Sequence, residues 1–449
     1  MENQSPTAGN WSSVQLLAFR FTFTYLILYN LPFPFGAFPH TVKAAQGYES
    51  LWLNLVPWVG KHVLRLSHDI VTSTNCSGDT TYDYARVLCF LTLSVAASVL
   101  WSLLDRPAAS YQRLHEWLRC YVRMSVGSAI LMYGAAKIFL MHFPPPNLSK
   151  LLEPLGEYSR MGLLWTFTGS SRGYSQFAGW VQIFNGMLFF IPRLTMLGAL
   201  VGIVVFSNIL VLNLGYDLPV KLYSLHVLLM CLFLVLPDAR RLMNFFLLNR
   251  SVAPYPDTAL FNRRRLNFAA LVAQLMMGGF LVSSHLYRTY AYEKRNFGMA
   301  SRPPLYGIWI VDEFVLAGRM LPPLLTDETR WQRMVFEFPK KVRIQSMNGS
   351  WTGYELGEDT LKKTLTMQKL NDPGKEFEFT YSSPAPQSLI LQGIGGGNEI
   401  RVNLHRLDER QFALLARGLH WIDEDADLVM DEEHVCDRIK LADRAPAER

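Results

Sequence analysis

Leu194-Thr195-Met196-Leu197-Gly198-Ala199-Leu200-Val201-Gly202-Ile203-Val204-Val205-Phe206 holds one hydroxyl and no charge. The apolar run continues to Asn213, interrupted only by Ser207 and Asn208. A helix of this length, about 20 residues, matches the roughly 30 Å hydrocarbon core of a bilayer. A helix at a protein–water boundary keeps one polar face. Leu194–Asn213 has none, so its solvent is hydrocarbon.

Working outward from that stretch, six more segments read the same way. They are Val14–Pro32, Tyr84–Leu104, Trp117–Met141, Tyr174–Pro192, Pro219–Pro237 and Leu266–His285. The third carries Arg119, Arg123 and Lys137 and is the least apolar. Leu51–Leu66, broken by Pro57 and Gly60, reads as a short interfacial or re-entrant piece. The first segment reads as a retained helix and not a signal peptide, because Glu2 occupies the expected basic flank and Arg20 interrupts the run. The expectation is an α-helical polytopic membrane bundle of about seven spans, followed by an antiparallel β-barrel or sandwich.

Charge divides the 449 residues in the same place. After Leu305 there are 18 Lys/Arg against 24 Asp/Glu, leaving 25 against 13 before it. The net charge of +6 is therefore a property of membrane loops, and no nucleic-acid partner is expected. The bilayer is. Lys and Arg in short loops set orientation. Arg240, Arg241, Arg250 and Arg263–Arg265 mark the connection between spans six and seven as cytoplasmic, with Arg106, Arg113 and Arg193 on the same side. The Tyr216–Pro219 turn and the long loop Phe33–Asp83 then face outward. So does the C-terminal domain, although Arg288, Lys294, Arg295 and Arg302 follow span seven on that side. The domain expectation is membrane 1–290, linker 291–306, β-domain 307–422 and an acidic, disordered tail 423–449.

From Gly307 to Ile422 the apolar pattern alternates. Trp309–Phe314, Arg333–Phe338, Val342–Met347, Leu361–Leu365, Glu376–Tyr381, Ser388–Leu391 and Glu399–Leu404 read as strands. Asn348-Gly349, Asp372-Pro373-Gly374 and Gly395-Gly396-Gly397-Asn398 read as turns. The opening Gly307-Ile308-Trp309 resembles that of lipocalin-type barrels, in which an Arg near the barrel's end packs over the Trp. Arg417 is the residue that resemblance singles out.

Two further stretches carry a second resemblance. One is Arg123-Met124-Ser125-Val126-Gly127-Ser128-Ala129-Ile130-Leu131-Met132-Tyr133-Gly134-Ala135-Ala136-Lys137. The other runs from Gly179 through Asn185-Gly186 and Pro192–Leu200 to Asn213, Tyr216-Asp217 and Pro219-Val220-Lys221. Together they resemble the DoxX family of small membrane proteins over residues 117–246. The resemblance implies a four-helix membrane core. Some members of that family are linked to quinone-coupled sulfur oxidation or to thiol and oxidative-stress complexes, so it also implies a quinone and partner membrane or redox subunits. It brings no catalytic residue pattern.

Charges at membrane depth cost about 2.5–3.5 kcal/mol on insertion scales, so each needs a partner or a task. Gly127, Ile130, Gly134 and Lys137 lie within about 40° of the Arg123 direction on a helix. One face thus presents two cations and two notches for a close neighbour. Lys137 either snorkels to the interface or anchors an acidic or carbonyl group inside the bundle, with Glu153, Glu157 and Asp217 as candidate protein partners. Gln182, Asn185, Asn208, Asn213, Asp217, Lys221 and His226 form a second polar set on spans four to six. They read either as interhelical glue and a loop ion pair, or as a ligand site with His226 as the proton-transfer candidate. Gly198 and Gly202 read as a packing contact.

Five cysteines, Cys76, Cys89, Cys120, Cys231 and Cys436, include no CxxC. Cys89, Cys120 and Cys231 read as apolar filler, and no metal spacing is present. Three function classes fit: a membrane subunit or scaffold binding a lipid-like or quinone molecule, a quinone-linked oxidoreductase component, and a small-molecule transporter.

Overall fold

A computed structural model describes residues 11–72, 78–105, 110–252, 260–296, 302–370 and 372–416. Cys76, Arg106, Arg417, Cys436 and the acidic tail lie outside the described residues. The chain forms two compact units that meet at Pro303/Pro304.

The first unit is helical. It contains α1 (Ser13–Asn30), α2 (Val42–His62), α3 (Thr81–Leu104), α4 (Gln112–Ile138), α5 (Leu148–Leu151), α6 (Arg160–Ser170), α7 (Arg172–Leu188), α8 (Thr195–Gly215), α9 (Lys221–Val235), α10 (Ala239–Leu242) and α11 (Arg264–Asn296). Capping boxes start α1 at Ser12/Gln15 and α3 at Thr80/Asp83, which satisfies amide groups that a helix N-terminus leaves free. All seven expected segments are helices. Five of them (α1, α3, α8, α9, α11) are long and apolar enough to cross a bilayer. α4 falls short on apolarity, and the 17-residue α7 falls short on length as well. α4 is the inner helix, packed against α1, α7, α9 and α11, and its Leu118, Val122, Val126 and Ile130 are buried at the centre of the bundle. α7 turns Phe177, Trp180 and Phe184 outward, and buries Gly179, Gln182, Asn185 and Gly186.

Two sequence expectations need correction here. Leu51–Leu66 is no short broken piece. Its residues 51–62 belong to the 21-residue α2, which keeps Pro57 inside the helix and packs Trp52 and Val56 onto Ala85, Cys89 and Phe90 of α3. The seventh segment does not stop at His285 either, because α11 runs on to Asn296, into the expected linker.

The charge that interrupts α1 has partners. Buried Arg20 donates to the Tyr111 hydroxyl at 2.8 Å, to Ser102 Oγ at 2.8 Å and to the Asp105 carbonyl at 2.9 Å. α4 and α7 cross through paired glycines. A Cβ on Gly127 would meet the Gly186 carbonyl oxygen at 3.1 Å, and one on Gly134 that of Gly179 at 2.9 Å. The notches read on α4 are met by notches on α7, so backbone lies on backbone.

The second unit is a closed antiparallel barrel. Its strands are β1 (Gly307–Leu316), β2 (Arg319–Met320), β3 (Trp331–Phe338), β4 (Lys341–Ser346), β5 (Trp351–Asp359), β6 (Thr364–Lys369), β7 (Asp372–Ser382), β8 (Ser388–Gly395) and β9 (Asn398–Leu407). β2 is a two-residue appendix hydrogen-bonded to β1. The other eight follow one another in sequence order, and β9 closes on β1 from Ile308↔Leu407 to Leu316↔Ile400. Closure leaves the barrel without a free main edge. Alternate residues fill the interior, among them Trp309, Phe314, Trp331, Met334, Phe336, Leu365, Phe379, Leu391 and Val402. Gly396 and Gly397, with φ of +57° and +81°, form the two-residue β8–β9 loop of the kind that needs positive φ at both positions.

Three strand-level expectations change. β5 lies outside the runs named from the alternation. β6 begins at Thr364, because 360–363 is a turn held by Asp359 Oδ1, which accepts from the Leu361 and Lys362 amides at 3.0 Å. Asp372-Pro373-Gly374 is not a turn but the start of β7, where its register with β6 shifts between Gln368 and Lys369.

Candidate functional site

A cavity of about 570 Å³ lies among α4, α6, α7, α8 and α9. Its inner wall carries Lys137, Tyr133, Gln182, Tyr223 and His142. Its other walls include Phe167, Phe177, Val204, Asn208 and Asn213. Lys137 and Gln182 are 8% and 3% exposed, whereas Phe167, Phe177 and Val204 are 70%, 66% and 71% exposed. The site thus buries Lys137 and Gln182 at depth, and its mouth, on the outer faces of α6, α7 and α8, is mainly apolar, with Asn208, Tyr174 and Tyr216 also exposed there.

The depth is organised around the Lys137 ammonium, which donates to Gln182 Oε1 at 2.9 Å. It also lies 5.9 Å from the Tyr133 ring centroid and 5.8 Å from that of Phe143, within cation–π range. The Tyr133 ring neighbours His142 at 5.7 Å and Tyr223 at 5.8 Å. The expected carboxylate partners are elsewhere. Glu153 pairs with Lys150 at 2.5 Å, and Asp217 pairs with Lys221 at 2.7 Å. Among the described residues no carboxylate pairs with Lys137, and a cation held in apolar surroundings without a counter-charge is costly.

The structure brings Lys137, Gln182, Asn208 and Asn213 to this one cavity. Asn213 is held there by its own bonds to Ser224 Oγ at 3.0 Å and the Val220 carbonyl at 3.3 Å. Asn185, one turn beyond Gln182, lies behind the cavity beside Gly202, fully buried, with neither amide atom hydrogen-bonded among the described residues. Gly202 itself packs against Cys231 of α9.

Arg123 faces a different neighbourhood. It donates to the Phe189 carbonyl and Thr195 Oγ1, both at 3.2 Å, and to Gln274 Oε1, and so ties α4 to the α7–α8 turn and to α11. His226 does not line the cavity. Its Nδ1 sits 2.6 Å from the Leu222 carbonyl and its Nε2 2.5 Å from the Tyr25 hydroxyl, an arrangement that puts the proton on Nδ1. The ring stacks on Tyr29 at 4.0 Å. Asp217 and Lys221 close the α8–α9 turn, and the Lys221 hydrogen bond holds the exposed Asp217 carboxyl below its usual pKa. Asp79 accepts from the Lys221 and Leu222 amides at 2.7 and 2.8 Å and caps α9.

Sequence reasoning passed over Tyr133, His142, Phe143 and Tyr223. Tyr133 stands four residues before Lys137, hence on the same helix face, and that spacing was a usable signal. His142 and Phe143 lie just beyond α4 and arrive through the chain's turn, which no periodicity announces. Of the cysteines, Cys89 and Cys231 are buried, and Cys120 is half-buried with its sulfur 3.8 Å from Arg123.

Over 126 residues, 28% of this chain and 79% of the relative, the protein is 29% identical to a Bacillus subtilis (strain 168) protein described as uncharacterized protein YwoB. No protein-family profile matches the chain, and no solved structure does.

Proposed function

We propose that the protein is an integral membrane protein of DoxX-like type, whose helical unit holds one amphiphilic molecule, lipid-like or quinone, in the cavity beside Lys137. The observation that carries the reading is the polarity gradient from Lys137, Gln182 and Tyr133 at depth to Phe167, Phe177 and Val204 at the mouth. An amphiphile arriving from a bilayer meets the apolar mouth first and seats its head against the ammonium.

In this reading the unit crosses the membrane seven times. The five apolar helices form the lipid-facing majority. α4 requires little apolarity because its neighbours shield it, and α7 presents lipid with only its Phe177/Trp180/Phe184 face. The N-terminus is cytoplasmic and the barrel extracytoplasmic. The pairing of Arg119 with Asp238 at 3.8 Å and of Arg113 with Asn262 at 3.1 Å supports this, since the start of α4, the end of α9 and the approach to α11 gather at one end with Arg240, Arg241 and Arg263–Arg265. The protein then serves as a membrane subunit that presents its barrel on the outer side.

Native mass spectrometry of the chain released from a mild detergent tests the reading. A discrete adduct of lipid or quinone mass is expected, and Ala178→Trp, which places an indole inside the cavity, removes it. An adduct with a quinone's absorbance band favours the oxidoreductase component. No adduct, or one unaffected by Ala178→Trp, overturns the proposal.

A further inference from the structure

We infer that the head group of the bound amphiphile is an anion, a carboxylate or a phosphate. This inference rests on the amphiphile-binding reading and narrows it. The depth of the cavity holds hydrogen-bond donors with capacity to spare. The Lys137 ammonium has three N–H donors and gives one to Gln182 Oε1. The Tyr133 and Tyr223 hydroxyls make no hydrogen bond among the described residues, and the buried His142 Nδ1 has no partner.

Two acceptors at this depth are already engaged. Gln182 Oε1 serves Lys137, and Ser224 Oγ receives Asn213 while donating to the Lys221 carbonyl. Donors alone would suit any oxygen-bearing head, including a neutral quinone carbonyl. The charge decides between them. Lys137 has a neutral amide and two ring faces as its surroundings, where Arg20, Arg119 and Lys221 elsewhere in the unit have several oxygen partners or a carboxylate. A buried cation gains most from a ligand that supplies the missing negative charge. The exposed Phe167, Phe177 and Val204 at the mouth require that the anion carry an apolar tail.

Oleate, its uncharged isostere methyl oleate, and acetate form the test set, each titrated into delipidated full-length protein in a neutral detergent. Oleate is expected to bind about 30-fold more tightly than methyl oleate, the scale set by deleting one partner of a desolvated charge pair. Acetate should bind at least that much more weakly than oleate. Lys137→Gln should bring oleate down to the methyl oleate level and leave methyl oleate unchanged, whereas Lys137→Arg should keep the preference. An unchanged melting temperature in the Gln variant shows that it is folded. Equal affinity for oleate and methyl oleate in the wild type, or a preference that survives Lys137→Gln, overturns the anionic head and leaves amphiphile binding standing. Acetate binding as tightly as oleate overturns the tail requirement. Failure of both long-chain probes to bind the wild type overturns the amphiphile reading and this inference together.

Discussion

Gly134 of α4 and Gly179 of α7 lie back to back. A Cβ on Gly134 would stand 2.9 Å from the Gly179 carbonyl oxygen, and one on Gly179 would stand 2.8 Å from that of Gly134. The contact lies within one turn of both Lys137 and Gln182, so the crossing that brings the two backbones together also sets the distance across which ammonium and amide meet.

Gly134→Val should therefore damage the fold and the site at once. The obstacles are backbone atoms that cannot rotate away, and the helices must move apart. A loss of about 1–3 kcal/mol is expected for overpacking a closed contact, read as a lowered thermal unfolding midpoint, together with weakened amphiphile retention. A variant at Gly173, where a Cβ meets nothing within 4 Å, should change neither.

Arg123 separates structural from ligand-binding charge. Arg123→Ala strips donors from the Phe189 carbonyl, Thr195 and Gln274. Each buried acceptor left unmatched costs about 1–3 kcal/mol. Arg123→Lys should recover only part of the loss, since an ammonium lacks the planar fork that reaches all three. Thermal unfolding measures the effect, and the fraction that stays folded should retain its bound amphiphile.

The barrel carries its own pH dependence at Asp327. Oδ1 of that residue accepts from the Thr329 amide and hydroxyl at 2.7 Å and from the Arg330 amide at 3.1 Å. The Thr329 hydrogen bonds hold its pKa below the ordinary 3.8. A carboxylate whose folded pKa is depressed stabilises the fold above its unfolded pKa, and the contribution fades as pH falls through the folded value. Acid unfolding followed by Trp fluorescence should show the wild-type barrel losing this contribution only below about pH 4. Asp327→Asn, which has no carboxylate to titrate, should lower stability at neutral pH and flatten that part of the acid limb.

The helical unit was legible because about 20 consecutive apolar residues announce a helix of membrane-crossing length whatever surrounds them. Arg123 and Lys137 obscured α4 because their partners, Gln274 and Gln182, come from helices distant in sequence. His226 drew notice as a titratable group in an apolar run, but Tyr25, some 200 residues away, occupies its Nε2. β5 went unread because Gly353 and Gly357 look like turn residues. In the barrel they are strand positions where a Cβ would strike Leu370, just past β6, and Thr366 of β6 at 2.9 and 2.4 Å, so glycine there marks close approach rather than a bend. The cavity itself has no sequence period, since it draws on five helices and the turn after α4.

The most direct measurement is photocrosslinking in native membranes with a fatty acid that carries a diazirine in its chain and an alkyne at its tail, followed by peptide mapping. The account predicts labels concentrated on residues 174–182 and 204–213, and their loss in Ala178→Trp. Labels distributed over every apolar helix according to exposure, with Leu103 and Leu104 of α3 as heavily marked as Phe177 and Val204, would contradict it.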